Sequence, residues 1–316
     1  MSPSLAIVIP AWKPDFFREA LLSIAQQTCK HFHVYIGDDA SPASLGQIVE
    51  EQLSGIPHTY HRFEENLGGK DLVAHWNRCL SLTKGEDWVW LFSDDDIMDP
   101  RCVELFYQAQ QTNDSDVFHF PIKVINESSE VIRTPPPKTF QRIEEYIRAR
   151  LIYGHSSYVI EWVFRRSTFE SRGGFQPFDL AWGSDDATWV KLGRRSAPIL
   201  IQGAHVNWRS SSVNISPNTS AEIVFRKTNS RIEYLKWLKY SEYSNQPQPL
   251  SDDEYFQWFT STVKAELIAS SIKSIRHAFL RFNREISNQW ASSLKLLPYY
   301  IALRAFRRLR VRYLRK

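Results

Sequence analysis

The chain has 316 residues, 43% hydrophobic and 23% charged, with only 12 glycines, which excludes wholesale disorder and collagen-like or glycine-linker architectures. Cys29, Cys79 and Cys102 form no CxxC pair and are odd in number, which argues against a disulfide framework or a zinc knuckle and for reduced thiols. The net charge of +4 hides an asymmetry: eight basic and no acidic residues lie between Ala291 and Lys316, and residues 1–290 carry a net −4. An acidic body is a poor nucleic-acid binder, so no nucleic acid is expected as partner. No uncharged apolar stretch approaches the ~20 residues needed to span a bilayer. Met1 runs almost directly into a strand-like segment rather than a signal peptide, so a cytoplasmic protein is expected. The 11 tryptophans read mainly as bulky core residues.

In chain order, Leu5–Pro10 is an apolar run of strand length, and Pro14 opens a helical pattern through Phe17, Leu21, Leu22, Ile24 and Ala25. His33–Gly37 is a second strand ending in Asp38-Asp39, Leu45–Leu53 a helix and His58–Phe63 a third strand. Leu72–Leu82 is helical, and Trp88–Phe92 is a fourth, very apolar strand. This alternation predicts parallel strands covered on both faces, a doubly wound α/β sheet whose ligands sit beyond the carboxyl ends of the strands. Further on, residues 117–133 read as a hairpin turning at Asn126–Ser129, Phe140–Ile152 as a helix and Tyr158–Phe164 as a strand. From Ala221 the pattern is helical almost to the end, with Ser251-Asp252-Asp253 capping one segment and a domain boundary expected near 217–222.

Four constellations carry chemistry. Ser93-Asp94-Asp95-Asp96 follows the fourth strand; three adjacent carboxylates suit a hard cation such as Mg²⁺ or Mn²⁺, or form a solvated acidic turn. Asp38-Asp39-Ala40-Ser41 ends the second strand, to hydrogen-bond a base or ribose or to make an Asx-turn and helix cap. Trp182-Gly183-Ser184-Asp185-Asp186 precedes a helix from about Ala187, where an aspartate serves as general base for a hydroxyl or both merely cap the helix. The preceding Gly173-Gly174-Phe175 suggests a close backbone approach. Asn66-Leu67-Gly68-Gly69-Lys70 has glycines too few and wrongly spaced for a phosphate-cradling loop.

In this order, Val8-Ile9-Pro10, Asp38-Asp39-Ala40-Ser41, Asn66-Leu67-Gly68, Asn77, Ser93–Asp96, Gly173-Gly174-Phe175 and Ser184-Asp185-Asp186 resemble glycosyltransferase family two over roughly residues 4 to 216. The resemblance implies the GT-A fold, a Rossmann-like nucleotide-binding sheet fused to an acceptor half, and metal-dependent inverting transfer from a nucleotide sugar. It implies a transferase domain over 1–217 (nucleotide-sugar half 1–98, acceptor half 99–217); residues 218–316 match no motif of the family and are expected from their own pattern to form a helical C-terminal region. By motif position, Pro10 and Asn66 line the nucleotide-sugar site, Asp39 with Asp38 holds the base, and Asp94 contacts the ribose side. Asp95 and Asp96 would hold the metal, with His205 a further candidate ligand, and Asp186 or else Asp185 would be the catalytic base. Trp208-Arg209-Ser210-Ser211 with Asn214-Ile215-Ser216 resembles the loop that closes on the diphosphate, with Arg209 touching phosphate. Ser93 stands where many members carry a further Asp, and Asp185 where a Glu is common.

The implied donor is a UDP-sugar and the acceptor a glycan or lipid-linked molecule of a bacterial surface polysaccharide, lipopolysaccharide or capsule. A non-catalytic sugar- or partner-binding protein and a nucleotidyltransferase are the alternatives. From Ala302, apolar Leu303, Ala305, Phe306, Leu309 and Tyr313 gather on one side at helical spacing with arginines around them. Such a basic amphipathic helix lies on an anionic membrane surface, which would put the protein on the inner face of the cell membrane, or else packs on the body.

Overall fold

A computed structural model describes residues 4–212, 214, 220–267 and 272–286. The chain divides into two compact units, Met1–Pro217 and Asn218–Lys316.

The first unit carries β1 (Leu5–Ala11), α1 (Phe17–Ala25), β2 (Phe32–Asp38), α2 (Leu45–Gln52), β3 (His58–Arg62), α3 (Leu72–Leu80) and β4 (Trp88–Leu91). There follow β5 (Ile97–Met98), α4 (Cys102–Thr112), β6 (Val117–His119), β7 (Ile122–Ile125), β8 (Val131–Arg133) and α5 (Ile143–Leu151). The unit is completed by β9 (Trp162–Arg165), α6 (Arg166–Ser171), α7 (Ser184–Leu192), β10 (Ile199–Leu200) and β11 (Val206–Arg209).

Among the described residues a seven-stranded sheet runs β10-β6-β9-β4-β1-β2-β3. β1 pairs parallel with both β2 and β4, Ile7 standing between Val34 and Trp90. Leu5 through Ile9 are fully buried, which is why β1 is an unbroken apolar run rather than an alternating one. The chain steps from β1 to β2 to β3 in one direction, then returns to β4 on the other side of β1. Right-handed crossovers then put α1 and α2 on one face and α3 on the other. The reversal lies between β1 and β4, and the crevice beyond their carboxyl ends is where such sheets bind ligands.

The mainly parallel sheet with helices on both faces matches the expected class, with two amendments. Tyr158–Phe164 is not one continuous strand: Val159–Glu161 makes a short 3₁₀ turn, and β9 then runs antiparallel to both β4 and β6. The expected 117–133 hairpin is also split. β6 belongs to the large sheet, whereas β7 and β8 form the hairpin in a four-stranded sheet ordered β5-β11-β7-β8. Pro121 separates β6 from β7, and its missing N–H suits the place where the chain leaves one ladder for the next. The predicted turn is present: the Asn126 Oδ1 accepts from the N–H groups of Ser128 (3.0 Å) and Glu130 (2.9 Å).

The second unit is helical, with α8 (Ala221–Trp237), α9 (Asp252–Leu267) and α10 (Ile272–Glu285). Ser251 and Glu254 make a reciprocal cap, Ser251 N–H donating to the Glu254 carboxylate (2.9 Å) and Glu254 N–H to the Ser251 Oγ (3.3 Å). Phe259 stacks on Phe282 at 4.0 Å, joining α9 to α10. Among the described residues no helix is long and apolar enough to cross a membrane. The expected basic helix after Ala302 lies outside the described residues.

Candidate active site

β4 delivers Asp94, Asp95 and Asp96 to the carboxyl edge beside β1, all buried. Each has a different task. Asp94 Oδ2 accepts the backbone N–H groups of Trp12 (2.8 Å) and Lys13 (2.7 Å) and so shapes the loop that leaves β1. Asp96 Oδ1 accepts the N–H of Arg209 (2.6 Å) and ties β11 to the cluster. Asp95 meets a cation: the Lys13 ammonium pairs with Asp95, lies 3.3 Å from Asp94 Oδ1 and donates to Asn214 Oδ1 at 3.0 Å. Burial raises the Asp95 pKa, against the pull of Lys13 and with the push of Asp94. Burial and the Asp95 charge lift Asp96 well above the usual carboxylate range. Burial depresses Lys13, but the charges of Asp94 and Asp95 outweigh it and its pKa ends up raised.

At the end of β2 the two aspartates diverge. Asp38 is fully buried and accepts from Arg62 Nη1 (2.7 Å), the Tyr60 hydroxyl (2.5 Å) and Ser41 N–H (2.8 Å). That is an Asx-turn locked by an ion pair, and it corrects the expectation that Asp38 meets a base. Asp39 accepts the N–H groups of Leu67 and Gly68, both at 2.8 Å, and pairs with Arg78. A Cβ at Gly68 would stand 2.7 Å from Asp39 Oδ2, so glycine is required for this approach. Two motifs separated in sequence therefore meet. Asn66 closes the same loop, its Oδ1 accepting the Gly69 N–H at 2.7 Å. Pro10 lies near the end of β1, two residues beyond Val8, the last to pair with β4, so its missing N–H breaks no bond to that strand.

Asp186 lies in the first turn of α7, which starts at Ser184 rather than Ala187. Its carboxylate is gripped on both oxygens by Arg150, Nε to Oδ1 at 2.7 Å and Nη2 to Oδ2 at 2.6 Å, and the Tyr146 hydroxyl donates to Oδ1 at 2.5 Å. A helix-capping role does not describe these contacts. Tyr146 and Arg150, four residues apart on α5, share one face. Tyr146 packs edge-on against Trp162, the first residue of β9. Because β9 is antiparallel to β4, its start borders the carboxyl end of β4, so Asp186 and the acidic cluster belong to one edge of the sheet. Asp185 is half-buried; burial and the Asp186 charge push its carboxyl up to about 7, with Arg150 opposing.

Three expectations are corrected here. Arg209 is fully buried rather than open to phosphate: its guanidinium reaches Asp95 O (2.8 Å), Asn126 O (3.1 Å), Ser129 Oγ (3.0 Å) and Glu19 Oε2 (2.8 Å), and lies over Phe16. It pins β11 to the loop and helix around it. His205 is no companion of Asp95 and Asp96: β11 pairs antiparallel with β5, so His205 faces Asp99, its Nδ1 3.7 Å from that carboxylate. Gly173-Gly174 ends α6, both residues left-handed and Gly174 N–H returning to Phe169 O at 2.9 Å, which accounts for the pair without a ligand.

The sequence reading missed Lys13, Trp12, Arg78, Tyr146 and Arg150. Trp12 is 44% exposed at the switch point, although its backbone is fixed by Asp94 and by the Ser41 hydroxyl donating to its carbonyl (2.7 Å). An aromatic and a cation directly after the first strand were the available signal for Trp12 and Lys13. Nothing local marks Arg150, which lies 36 residues from its partner.

Among the described residues no group of three or more His, Cys, Asp or Glu is arranged to hold a metal ion. The family model described as Glycosyl transferase family 2 matches residues 6–172. No curated protein gives a significant match. Among solved structures, S. aureus TarS 1-349 in complex with UDP-GlcNAc is similar with a TM-score of 0.66 at 17% identity, over 89% of this chain and 81% of that one. TarS 1-349 in complex with UDP gives 0.63 at 16%, over 95% and 87%. At such identity the likeness concerns the fold, which is of the GT-A type. With a family match across more than half its length, laid over the sheet and the motifs that line its carboxyl edge, the chain belongs to glycosyl transferase family 2.

Proposed function

We propose that this glycosyltransferase takes a sugar from a nucleotide sugar, UDP-linked by preference, and transfers it with inversion to a glycan or lipid-linked acceptor of a bacterial surface polysaccharide. The observation that carries this reading is one sheet edge with two acidic stations, the Asp94–Asp96 cluster at the β1/β4 switch point and Asp186 beyond β9. Inverting transfer needs such a pair: one station faces the departing diphosphate, and the other holds a carboxylate for the attacking hydroxyl. TarS complexes with UDP and UDP-GlcNAc share the fold and support the choice of nucleotide.

Trp12 offers an exposed ring for the base, and it follows Ala11, whose carbonyl accepts the N–H of Asp39 at 2.8 Å. Asp186 takes the proton from the acceptor hydroxyl, and Arg150 holds its carboxylate oriented for that task. Holding donor and acceptor together supplies much of the acceleration.

The cluster fits a divalent metal at one residue. Hard carboxylate oxygens suit Mn²⁺ or Mg²⁺, Asp94 and Asp96 are committed to backbone N–H groups, and Asp95 is left to hold the ion once Lys13 gives way. When bound, the metal would neutralise charge developing on the leaving diphosphate. The C-terminal arginines fit an anionic membrane surface and a lipid-linked acceptor, with the enzyme on the inner face of the cell membrane.

A thermal-shift screen of UDP, GDP and CMP with Mn²⁺ tests the reading. A rise in melting temperature with one nucleotide supports it, because a bound ligand stabilises by mass action. No response to any nucleotide contradicts it and favours a non-catalytic binding protein.

A further inference from the structure

We infer that Lys13 is the resident counter-cation of the acidic cluster: its ammonium fills the place between Asp94 and Asp95 and must leave before a divalent ion is held there. The inference rests on the reading of Asp94–Asp96 as the acids that face the donor's diphosphate.

The geometry carries it. The ammonium is surrounded by three oxygens from two separate parts of the chain: Asp95 Oδ2 in direct contact and Asp94 Oδ1 at 3.3 Å from the cluster, and Asn214 Oδ1 at 3.0 Å from the loop after β11. That is a cation's coordination by oxygen, made with a lysine of the same chain. The Lys13 side chain is 19% exposed, with Asp94 and Asp95 at 6% and 4%, so this pairing is screened much less than a surface one. Lys13 does not arrive by chance of rotamer alone, because its own backbone N–H is held by Asp94 (2.7 Å). Two carboxylates side by side repel, and one ammonium relieves them. Asn214, in turn, is anchored through Nδ2 to Arg209 O at 2.7 Å. Lys13 therefore links the loop after β1, the cluster after β4 and the loop after β11. Removal of the ammonium opens an oxygen-lined place for a hard cation.

The test is a Mn²⁺ titration of the full chain without nucleotide at pH 7.5, with free Mn²⁺ read by electron paramagnetic resonance and melting temperature followed in parallel. Wild type and Lys13→Arg should take up little Mn²⁺, whereas Lys13→Met should bind one ion at least about tenfold more tightly. Lys13→Met should also melt below wild type in EDTA and recover with Mn²⁺. Equal uptake by wild type and Lys13→Met overturns the inference, as does a Lys13→Met protein no less stable than wild type in EDTA. Should Lys13→Met not fold, Lys13→Gln, which removes the charge and keeps a hydrogen-bonding side chain, decides: uptake above wild type supports the inference and uptake equal to it overturns it. No sugar donor is used, so a chain that transfers no sugar would defeat the proposed function while leaving this result standing.

Discussion

Arg150 holds Asp186 through two parallel N–H···O bonds of 2.7 and 2.6 Å, joining a helix of the middle of the chain to the first turn of α7. Both side chains are largely buried, 23% and 11% exposed, so the pair is screened little by solvent. Such a clamp does two things at once. It fixes a carboxylate at the sheet edge, and it leaves a buried charge wherever one partner is removed.

Asp186→Asn is therefore expected to keep nucleotide binding and lose transfer by about two to four orders of magnitude. Arg150→Met is expected to destabilise the fold by about 3 kcal/mol, because Asp186 then keeps Tyr146 but loses its counter-charge. Urea unfolding and transfer rates measured on the two variants separate the effects. An Asp186→Asn protein with wild-type turnover, beside a dead Asp185→Asn, would exchange the roles of the two residues.

Asp95→Ala is expected to lose transfer at least about a hundredfold while its melting temperature stays within about 2 °C of wild type. Its raised pKa means that burial opposes the charged form, and Lys13 keeps Asp94 and Asn214 as partners after the change. A collapse in melting temperature would show that the Asp95–Lys13 pair is chiefly structural.

Trp12→Ala is expected to weaken UDP binding by about tenfold, in line with ~1–3 kcal/mol for one base on one ring. Calorimetry on the variant checks this, and unchanged affinity would move the base away from Trp12.

Glu161 gives a pH dependence. Burial pushes its carboxyl up to about 8, against hydrogen bonds from Ser157, Tyr158 and Trp162. The folded chain then keeps a proton that the unfolded chain releases near 4.5, so this residue's contribution falls as pH rises from about 5 to about 8. Glu161→Gln keeps an oxygen for the Tyr158 N–H and the Trp162 indole, at 3.0 and 3.1 Å in the wild type. Its stability relative to wild type should grow by about 1–3 kcal/mol across that interval. Parallel denaturation curves at pH 5.5 and 8.5 would contradict it.

The sequence exposes what local physics dictates. β1, β2 and β4 are legible because strands buried on both faces must be apolar throughout. The acidic cluster is legible because its three carboxylates closely follow such a strand. What stays hidden is partnership over distance. Asp38 and Asp39 read alike, yet Tyr60 and Arg62 from β3 claim one, while Leu67, Gly68 and Arg78 claim the other. Arg209 reads as an exposed phosphate contact because an arginine is rarely buried. Glu19 and the turn carbonyls that bury it come from α1 and the β7–β8 hairpin. The antiparallel course of β9 has no local signature either, since its apolar residues suit either direction.

The most direct test incubates wild type and Asp186→Asn with a UDP-sugar and follows both binding, by calorimetry, and UDP release. The account predicts equal binding by the two proteins and UDP release by wild type alone. Wild type that binds no nucleotide sugar, or an Asp186→Asn protein that releases UDP at the wild-type rate, would contradict it.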